Sequence, residues 1–375
     1  MRAESARLTF PEGRKVLLTV GPGGVGKTTV AAALGLSAAA QGKKVIVVTI
    51  DPSRRLAQAL GLADRSASEV VTVPGSEALG EPLDCLLLDT RAVFDAIVRG
   101  YSKSEEAART MLDNRIYQAT VQYLGGALEY AAIARVHMLV SEGKYDLIVL
   151  DTPPTANAID FLEAPGRIGE LLNNPAAKFL ATSSRLSMRF LGLASSMMMK
   201  VLEAMGGGQF IGELGAFLGE FGSALGEFQR RAGDVAQLLV SSSTGVVLAT
   251  SSNDFSVREA KAFLDVLRDR GLHVDGVVLN RVDPALAPLA HDSVLREAFG
   301  DALGADALQR AVEVYDDARA QSERSRKVRE DLDHSYPGLP VCTVERMSPP
   351  PSGLESLAEM GANITAVRSS ATRST

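Results

Sequence analysis

The stretch Gly21-Pro-Gly-Gly-Val-Gly-Lys-Thr28 lies between a short apolar run and an alanine-rich one. The apolar run, 15–20, is typical of a buried parallel strand, and the run 28–41 is typical of a helix that ends at Gly42. The pattern G-x-x-x-x-G-K-[ST] between a strand and a helix is that of a phosphate-binding loop. Its glycines let backbone N–H groups surround a phosphate, and the helix N-terminus adds the positive end of its dipole.

Two side chains of this loop carry specific chemistry. Lys27 has the charge needed to neutralise the β- and γ-phosphate oxygens of a nucleotide. The hydroxyl of Thr28 is the oxygen ligand that such loops offer to Mg²⁺. The stretch therefore predicts a nucleotide site with a magnesium ion.

The rest of the chain alternates apolar runs with helical patterns. This rhythm predicts an α/β fold with a mainly parallel, doubly wound sheet that has helices on both faces. The further strands are expected at 44–50, 84–89, 145–150, 245–250, 274–280 and 341–344. Helices are expected from residue 91, over 104–142, 256–270 and 306–331, and after the three prolines that end at residue 351.

The rhythm breaks in segment 153–239, which contains no strand-like run. We interpret this segment as a helical insertion that divides the nucleotide-binding domain into a first part, 15–152, and a second part, 240–367. Residues 1–14 are expected to form a polar leader, and the Ser/Thr-rich end, 368–375, to be disordered.

Composition limits the classes of function. With 46% hydrophobic and 22% charged residues, the chain can bury a large core, and its net charge of −6 argues against a dedicated nucleic-acid binder. The two cysteines, Cys85 and Cys342, form no C-x-x-C pair and favour a reducing compartment. We therefore expect a cytoplasmic protein without a nucleic-acid partner.

The loop has the narrower form Gly-Gly-Val-Gly-Lys-Thr-Thr, which resembles the deviant phosphate loop of the ArsA-type ATPases. Asp51-Pro-Ser-Arg-Arg-Leu56 is similar to the switch I motif of that family, and Asp151-Thr-Pro-Pro-Thr-Ala-Asn157 to its switch II motif. Asn280-Arg281 resembles the strand end whose asparagine recognises the adenine base in that family. The resemblance extends from about residue 15 to 363 and is greatest to the bacterial branch of anion-transporting ATPases.

The resemblance implies a P-loop ATPase that binds one ATP with Mg²⁺ per subunit, near the interface of a dimer. It implies that Asp51 orients the attacking water, that Asp151 holds Mg²⁺ through a water, and that Asn280 with Arg281 holds the base. Both aspartates follow strands, at the edge where open α/β sheets bind ligands. The phosphates would be held by Gly23, Gly24, Val25, Gly26, Lys27, Thr28 and Thr29.

The sequence departs from the family pattern at Pro22, where the relatives have a signature lysine that reaches the partner subunit's phosphates. Switch II also has Ala156-Asn157 in place of Gly-His. Our hypothesis is that Arg54 or Arg55 supplies the missing cation, in its own subunit or across the dimer. The alternative is that both arginines form surface ion pairs.

The insertion contains an amphipathic pattern. Apolar residues recur at three- and four-residue spacing, which is typical of a helix with one apolar face: Phe210, Leu214, Phe217, Leu218, Phe221, Leu225 and Phe228. Region 186–228 also holds five of the ten methionines, and flexible thioethers suit a surface for varied apolar segments. It resembles the groove for apolar protein clients in the guided-entry ATPases. A packed helical hairpin or a dimer contact is the alternative.

The leading hypothesis is thus an ATP-hydrolysing dimeric switch, slow without a partner, that handles an apolar protein client or drives a partner. The dimer would be a homodimer or a heterodimer with an ArsA-like paralogue. A membrane protein could be the partner, although the chain itself is not expected to be an integral membrane protein. The alternatives are the soluble ATPase of an anion or oxyanion efflux system, a MinD- or ParA-like positioning ATPase, and a small-molecule kinase. Metalloid-responsive relatives bind As(III) with several cysteine thiolates. Two cysteines cannot supply a three-thiolate site within one chain, so an arsenite role is disfavoured.

Overall fold

A computed structural model describes residues 7–50, 55–62, 69–102, 104–123, 127–152, 230, 233–286 and 305–366. Its centre is one eight-stranded sheet with the strand order β3-β4-β2-β5-β1-β6-β7-β8. The short edge strand β3 is antiparallel to β4, and the other neighbours are parallel. The strands are β1 Val16–Val20, β2 Val45–Thr49, β3 Val70–Thr72, β4 Leu83–Leu87, β5 Leu147–Asp151, β6 Thr244–Ser251, β7 Val274–Val282 and β8 Val341–Glu345.

Helices connect the parallel strands and cover both faces of the sheet, which confirms the predicted mainly parallel α/β fold. The described helices are α1 Lys27–Ala40, α2 Arg55–Ala59, α3 Thr90–Tyr101, α4 Glu105–Leu112, α5 Arg115–Tyr123, α6 Ala127–Glu142, α7 Asp254–Asp269, α8 Ala305–Ser335 and α9 Leu354–Ile364. A 3₁₀ turn spans Ser76–Ala78, and residues 233–240 are helical. Among the described helices, none is both long and apolar enough to cross a lipid bilayer.

Alternate residues of the central strands enter two separate cores. In β1, Leu18 and Val20 join the core shared with α3 to α7, whereas Leu17 joins the core under α1, α2 and α9. All residues of β1, β2 and β5 are buried, as expected for parallel strands covered on both faces. The sheet is therefore a rigid platform for the loops that follow its strands.

Two details differ from the sequence-based expectations. The polar-leader prediction for residues 1–14 is wrong in its described part, because Leu8 and Phe10 are buried and Leu8 bridges to Thr365 beside α9. The short strand β3 was also not predicted, since three residues at an exposed sheet edge need no apolar run. Residues 153–229 lie outside the described residues, so the helical insertion and its boundaries stay a prediction.

The strand order brings three strand ends together. β5 lies between β1 and β2, and its last residue, Asp151, is in register with Thr19 of β1 and Thr49 of β2. The carboxyl ends of parallel strands lie at one edge of a sheet, which is where open α/β sheets bind ligands. The carboxyl ends of β1, β2 and β5 therefore lie side by side at this edge.

Candidate phosphate- and magnesium-binding site

The loop between β1 and α1 has a backbone that only glycine adopts easily. Gly21 has a φ of 148° and Gly26 a φ of 94°, both in the region that L-residues with a Cβ avoid. A Cβ at Gly21 would collide with the carbonyl oxygen of Ala249 in β6. Gly26 is also the N-cap of α1, and it has no side-chain acceptor to occupy the first N–H groups of that helix. These N–H groups suit an anion at the helix N-terminus.

Lys27 closes the loop from inside. Its ammonium donates hydrogen bonds to the backbone oxygens of Gly21 and Pro22, each at 2.9 Å, and the residue is only 8% exposed. Pro22 is itself buried, where the family pattern has its signature lysine. The ammonium thus donates to the backbone of the loop itself, where a bound phosphate would offer it charged acceptors.

A carboxylate lies beneath the loop. The Oδ2 atom of Asp151 accepts hydrogen bonds from the hydroxyl of Thr28 at 2.8 Å and from that of Thr49 at 2.9 Å. Asp151 and Thr49 are each 1% exposed. The end of β5 is fixed further by Thr152, whose hydroxyl donates to the carbonyl oxygen of Thr19 at 2.8 Å. The structure therefore brings together the predicted residues Lys27, Thr28 and Asp151.

Sequence reasoning did not single out Thr49. It interrupts the apolar strand Val45-Ile-Val-Val-Thr49 on the same face as Val45 and Val47, so it points toward α1. A hydroxyl in an otherwise apolar buried strand needs a polar partner, and this requirement could have marked Thr49 as a candidate site residue from the sequence. Its partner is Asp151.

This arrangement fits Mg²⁺. The ion prefers oxygen ligands, and the hydroxyl of Thr28 and the carboxylate of Asp151 lie 2.8 Å apart. Because Thr28 donates its proton to Asp151, the lone pairs of its hydroxyl oxygen remain able to face a cation.

Asn280 and Arg281 reach the loop from the end of β7. The Nδ2 atom of Asn280 donates to the backbone oxygen of Val25 at 2.8 Å. The Nη1 atom of Arg281 donates to the backbone oxygen of Gly24 at 3.2 Å. The structure thus places both residues against the phosphate loop.

The other predicted site residues are described less completely. Gly23 is exposed in the loop, and Thr29 is half-buried in the first turn of α1. Helix α2 begins at Arg55, whose side chain is not described. Asp51, Arg54, the switch II residues 153–157 and the proposed client region 186–228 lie outside the described residues. Their roles stay predictions.

Comparison with known proteins agrees with this geometry. A family model described as "Anion-transporting ATPase" matches residues 14–288. Similar proteins include a "Putative arsenical pump-driving ATPase 1" of Aquifex aeolicus, 30% identical over 40% of this chain and 38% of its own. They also include "ATPase get3" of Aspergillus terreus, 29% identical over 52% of this chain and 53% of its own.

An uncharacterized protein of Streptomyces coelicolor is 31% identical over 42% of this chain and 39% of its own. The chain therefore spans about half, or less, of the length of these relatives. The family match, however, covers most of this chain, including the phosphate loop and both strands that contribute Thr49 and Asp151. The chain belongs to the anion-transporting ATPase family, as the resemblance of its motifs predicted.

Proposed function

We propose that this protein binds ATP with Mg²⁺ at the loop Gly21–Thr28 and hydrolyses it, acting as a dimeric switch. The convergence of Lys27, Thr28 and Asp151 at the carboxyl ends of β1 and β5 is the observation that carries the proposal. It unites a cation for phosphate oxygens, a hydroxyl ligand for a metal and a carboxylate behind that ligand. Family membership supports the same reaction.

Each residue has a definite task in this reaction. The loop and helix α1 present N–H groups to the phosphates, and Lys27 exchanges the carbonyl oxygens of Gly21 and Pro22 for phosphate oxygens. Thr28 would ligate Mg²⁺ directly, and Asp151 would hold it through a water. An ion held there would supply charge neutralisation to the phosphate oxygens. Asp51, which follows β2, would orient the attacking water.

The purpose of hydrolysis is the second part of the proposal. The similarity to relatives named "ATPase get3" and "Putative arsenical pump-driving ATPase 1" supports a chain that handles a client or drives a partner. We favour an apolar protein client at region 186–228, on the strength of its apolar stripe and its methionines. The dimer would be homomeric or shared with a paralogue, in the cytoplasm, and a membrane protein could serve as the partner.

The soluble ATPase of an anion or oxyanion efflux system is the second candidate, since relatives have names that include "arsenical pump-driving ATPase". The state of the cysteines opposes an arsenite role. Burial raises the pKa of Cys85 to about 12, with the charges of Asp84 and Asp151 adding to the effect. Burial likewise raises the pKa of Cys342 to about 11. Metal and metalloid binding requires thiolates, which are disfavoured at both positions.

The test compares the wild type with Asp51→Asn. We expect the variant to bind ATP within roughly threefold of the wild type and to hydrolyse it about 10²–10⁴-fold more slowly, because proton acceptance and water orientation are lost. Isothermal titration gives the affinity, and single-turnover hydrolysis gives the rate. Asp89→Asn is the matched control, since Asp89 follows β4 at the same sheet edge but caps helix α3.

Two outcomes would contradict the proposal. A wild-type protein that does not bind ATP with Mg²⁺ would refute the nucleotide site. An Asp51→Asn variant that hydrolyses ATP at the wild-type rate would refute the role of Asp51 while leaving the nucleotide site intact.

A further inference from the structure

We propose that Asn280 and Arg281 are positioning residues of the phosphate loop, which shape it for phosphate before a base is bound. The inference rests on the proposed nucleotide site and deepens it. A role in base recognition alone would place these side chains toward the base, whereas both contact the backbone of the loop. Asn280 contacts the carbonyl oxygen of Val25, and Arg281 that of Gly24.

The hydrogen bond from Asn280 is well defined. The residue is buried, and its amide is held at both ends: Nδ2 donates to the Val25 oxygen at 2.8 Å, and Oδ1 accepts from the backbone N–H of Arg281 at 2.9 Å. The second contact fixes which way the amide faces, because Oδ1 must point at an N–H donor and Nδ2 at an acceptor. Asn280 therefore presents a fixed donor to the loop.

The close approach of Asn280 also explains a glycine. A Cβ at Gly26 would lie 2.5 Å from Nδ2 of Asn280, closer than real Cβ atoms come to other atoms. The loop and the amide are thus packed against each other without space for one more carbon. Such contact restricts the loop to one path over the end of β7.

Arg281 adopts a backbone conformation that is costly for its residue type. Its φ is 57°, and in the described part of the chain it is the one non-glycine residue with a positive φ. The side chain of Asn280 accepts from its N–H, and its guanidinium reaches the Gly24 oxygen at 3.2 Å. Strained backbone of this kind persists where surrounding contacts hold it, and it is frequent at functional sites.

The planarity of the peptide bond converts these contacts into an orientation of the loop's donors. In a trans peptide the C=O and the N–H of the next residue point in opposite directions. Holding the Val25 carbonyl toward Asn280 turns the N–H of Gly26 away from β7. Holding the Gly24 carbonyl toward Arg281 does the same for the N–H of Val25. Two backbone donors of the phosphate loop are thereby oriented by side chains outside it.

The experiment separates phosphate binding from base binding by using inorganic tripolyphosphate with Mg²⁺ beside ATP. Affinities are measured by isothermal titration for the wild type, Asn280→Ala, Arg281→Gly and Arg281→Lys, and each variant's unfolding temperature is recorded. Arg281→Gly is the critical variant because glycine adopts a φ of 57° without steric strain. The substitution therefore removes the guanidinium and also removes the backbone strain.

We expect tripolyphosphate affinity to fall roughly threefold to tenfold in Asn280→Ala and in Arg281→Gly, the size expected for one lost hydrogen bond. ATP affinity should fall at least as much. Arg281→Lys should recover part of the loss, because an ammonium can also donate to the Gly24 oxygen. The unfolding temperature of Arg281→Gly should equal or exceed that of the wild type, which a merely structural role for the side chain would not give.

Contrary outcomes are distinct. Unchanged tripolyphosphate affinity in Arg281→Gly, with or without weaker ATP binding, would overturn the inference, and this variant decides the matter if Asn280→Ala does not fold. A wild type that binds ATP but not tripolyphosphate would also overturn it, because the loop would then need the base to take its shape. A wild type that binds neither would refute the proposed function itself.

Discussion

Two buried aspartates lie at opposite ends of the same sheet. Asp84 is the second residue of β4, near the amino ends of the strands, and Asp151 is the last residue of β5, at their carboxyl ends. Asp84 accepts hydrogen bonds from Thr72, from Tyr145 and from the ammonium of Lys144, at 2.7 to 3.1 Å. Asp151 Oδ2 accepts from two neutral hydroxyls, one of them on the phosphate loop's own Thr28.

The different partners of Asp84 and Asp151 indicate different roles for the two carboxylates, one in stability and one in ligand binding. Asp84 forms an ion pair with Lys144, a cation from the same sheet end, so its charge is compensated within the fold. Asp151 accepts a hydrogen bond from Thr28, whose hydroxyl is itself a candidate metal ligand, so Asp151 lies beside the place where Mg²⁺ is proposed. We therefore expect substitutions around Asp84 to change stability and substitutions around Asp151 to change ligand binding.

The largest effect on ATP binding is expected from the lysines of the two regions. Lys27→Ala should weaken ATP binding by about 10²–10⁴-fold, because two or more charge-assisted hydrogen bonds at roughly 1.5–3 kcal/mol each are lost. Lys144→Ala is the control: its side chain is 61% exposed, and its loss should cost about 1 kcal/mol of stability or less. Isothermal titration and urea unfolding on both variants check this. Equal ATP affinities of Lys27→Ala and Lys144→Ala would contradict the assignment of Lys27 to ligand binding and Lys144 to stability.

The next effect concerns the cation that replaces the signature lysine at Pro22. If Arg54 or Arg55 contacts the transferring phosphoryl group, its alanine variant should hydrolyse ATP about 10³–10⁵-fold more slowly with little change in affinity. Single-turnover rates, with light scattering to record the dimer, provide the measurement. Wild-type rates in both variants would show that neither arginine serves this purpose, and a paralogue that carries the lysine would become the better explanation.

The central fold was predictable because its signals are local. The apolar runs 15–20 and 145–150 have the length and composition of parallel strands, and the glycine pattern after the first run predicts the phosphate loop. The contact of Asn280 with Val25 was not predictable, because it joins positions 255 residues apart through sheet order. The burial of Leu8 was not predictable for the same reason, since its bridge partner, Thr365, is far away in the sequence.

Thr49 and Thr72 give a matched pair for the third effect. Each donates its hydroxyl to one of the two aspartates, Thr49 to Asp151 at 2.9 Å and Thr72 to Asp84 at 2.7 Å. Thr49→Val should raise the Mg²⁺ concentration that half-maximal ATP binding requires about 10–100-fold. Losing an outer-shell partner of a metal ligand typically lowers metal affinity by that factor. Thr72→Val should leave it unchanged. The measurement is a Mg²⁺ titration of ATP affinity, and a parallel response of the two variants would contradict the comparison.

The last effect is on stability alone, and it tests Asp84 through pH. Burial alone would raise the pKa of Asp84, but the hydrogen bonds from Thr72, Tyr145 and Lys144 together outweigh it and hold the pKa below its ordinary 3.8. A lowered pKa in the folded state means that the charged form stabilises the protein above the unfolded pKa, and that this stability disappears as pH falls through the folded pKa. Hydrogen bonds to a charged group contribute roughly 1.5–3 kcal/mol, so Asp84→Asn should be less stable than the wild type by about that amount at pH 7.

That gap should stay constant from pH 7 down to about 5 and then shrink below the ordinary pKa of 3.8, because the wild type loses the charge that the variant never had. Urea unfolding of both proteins at matched pH values gives the gap directly. Asp89→Asn is the control, since the Asp89 side chain caps α3 near the surface and lies outside this cluster. A gap that is independent of pH would mean that Asp84 stabilises the fold by shape and neutral hydrogen bonds. The contrast with Asp151 would then rest on metal binding alone.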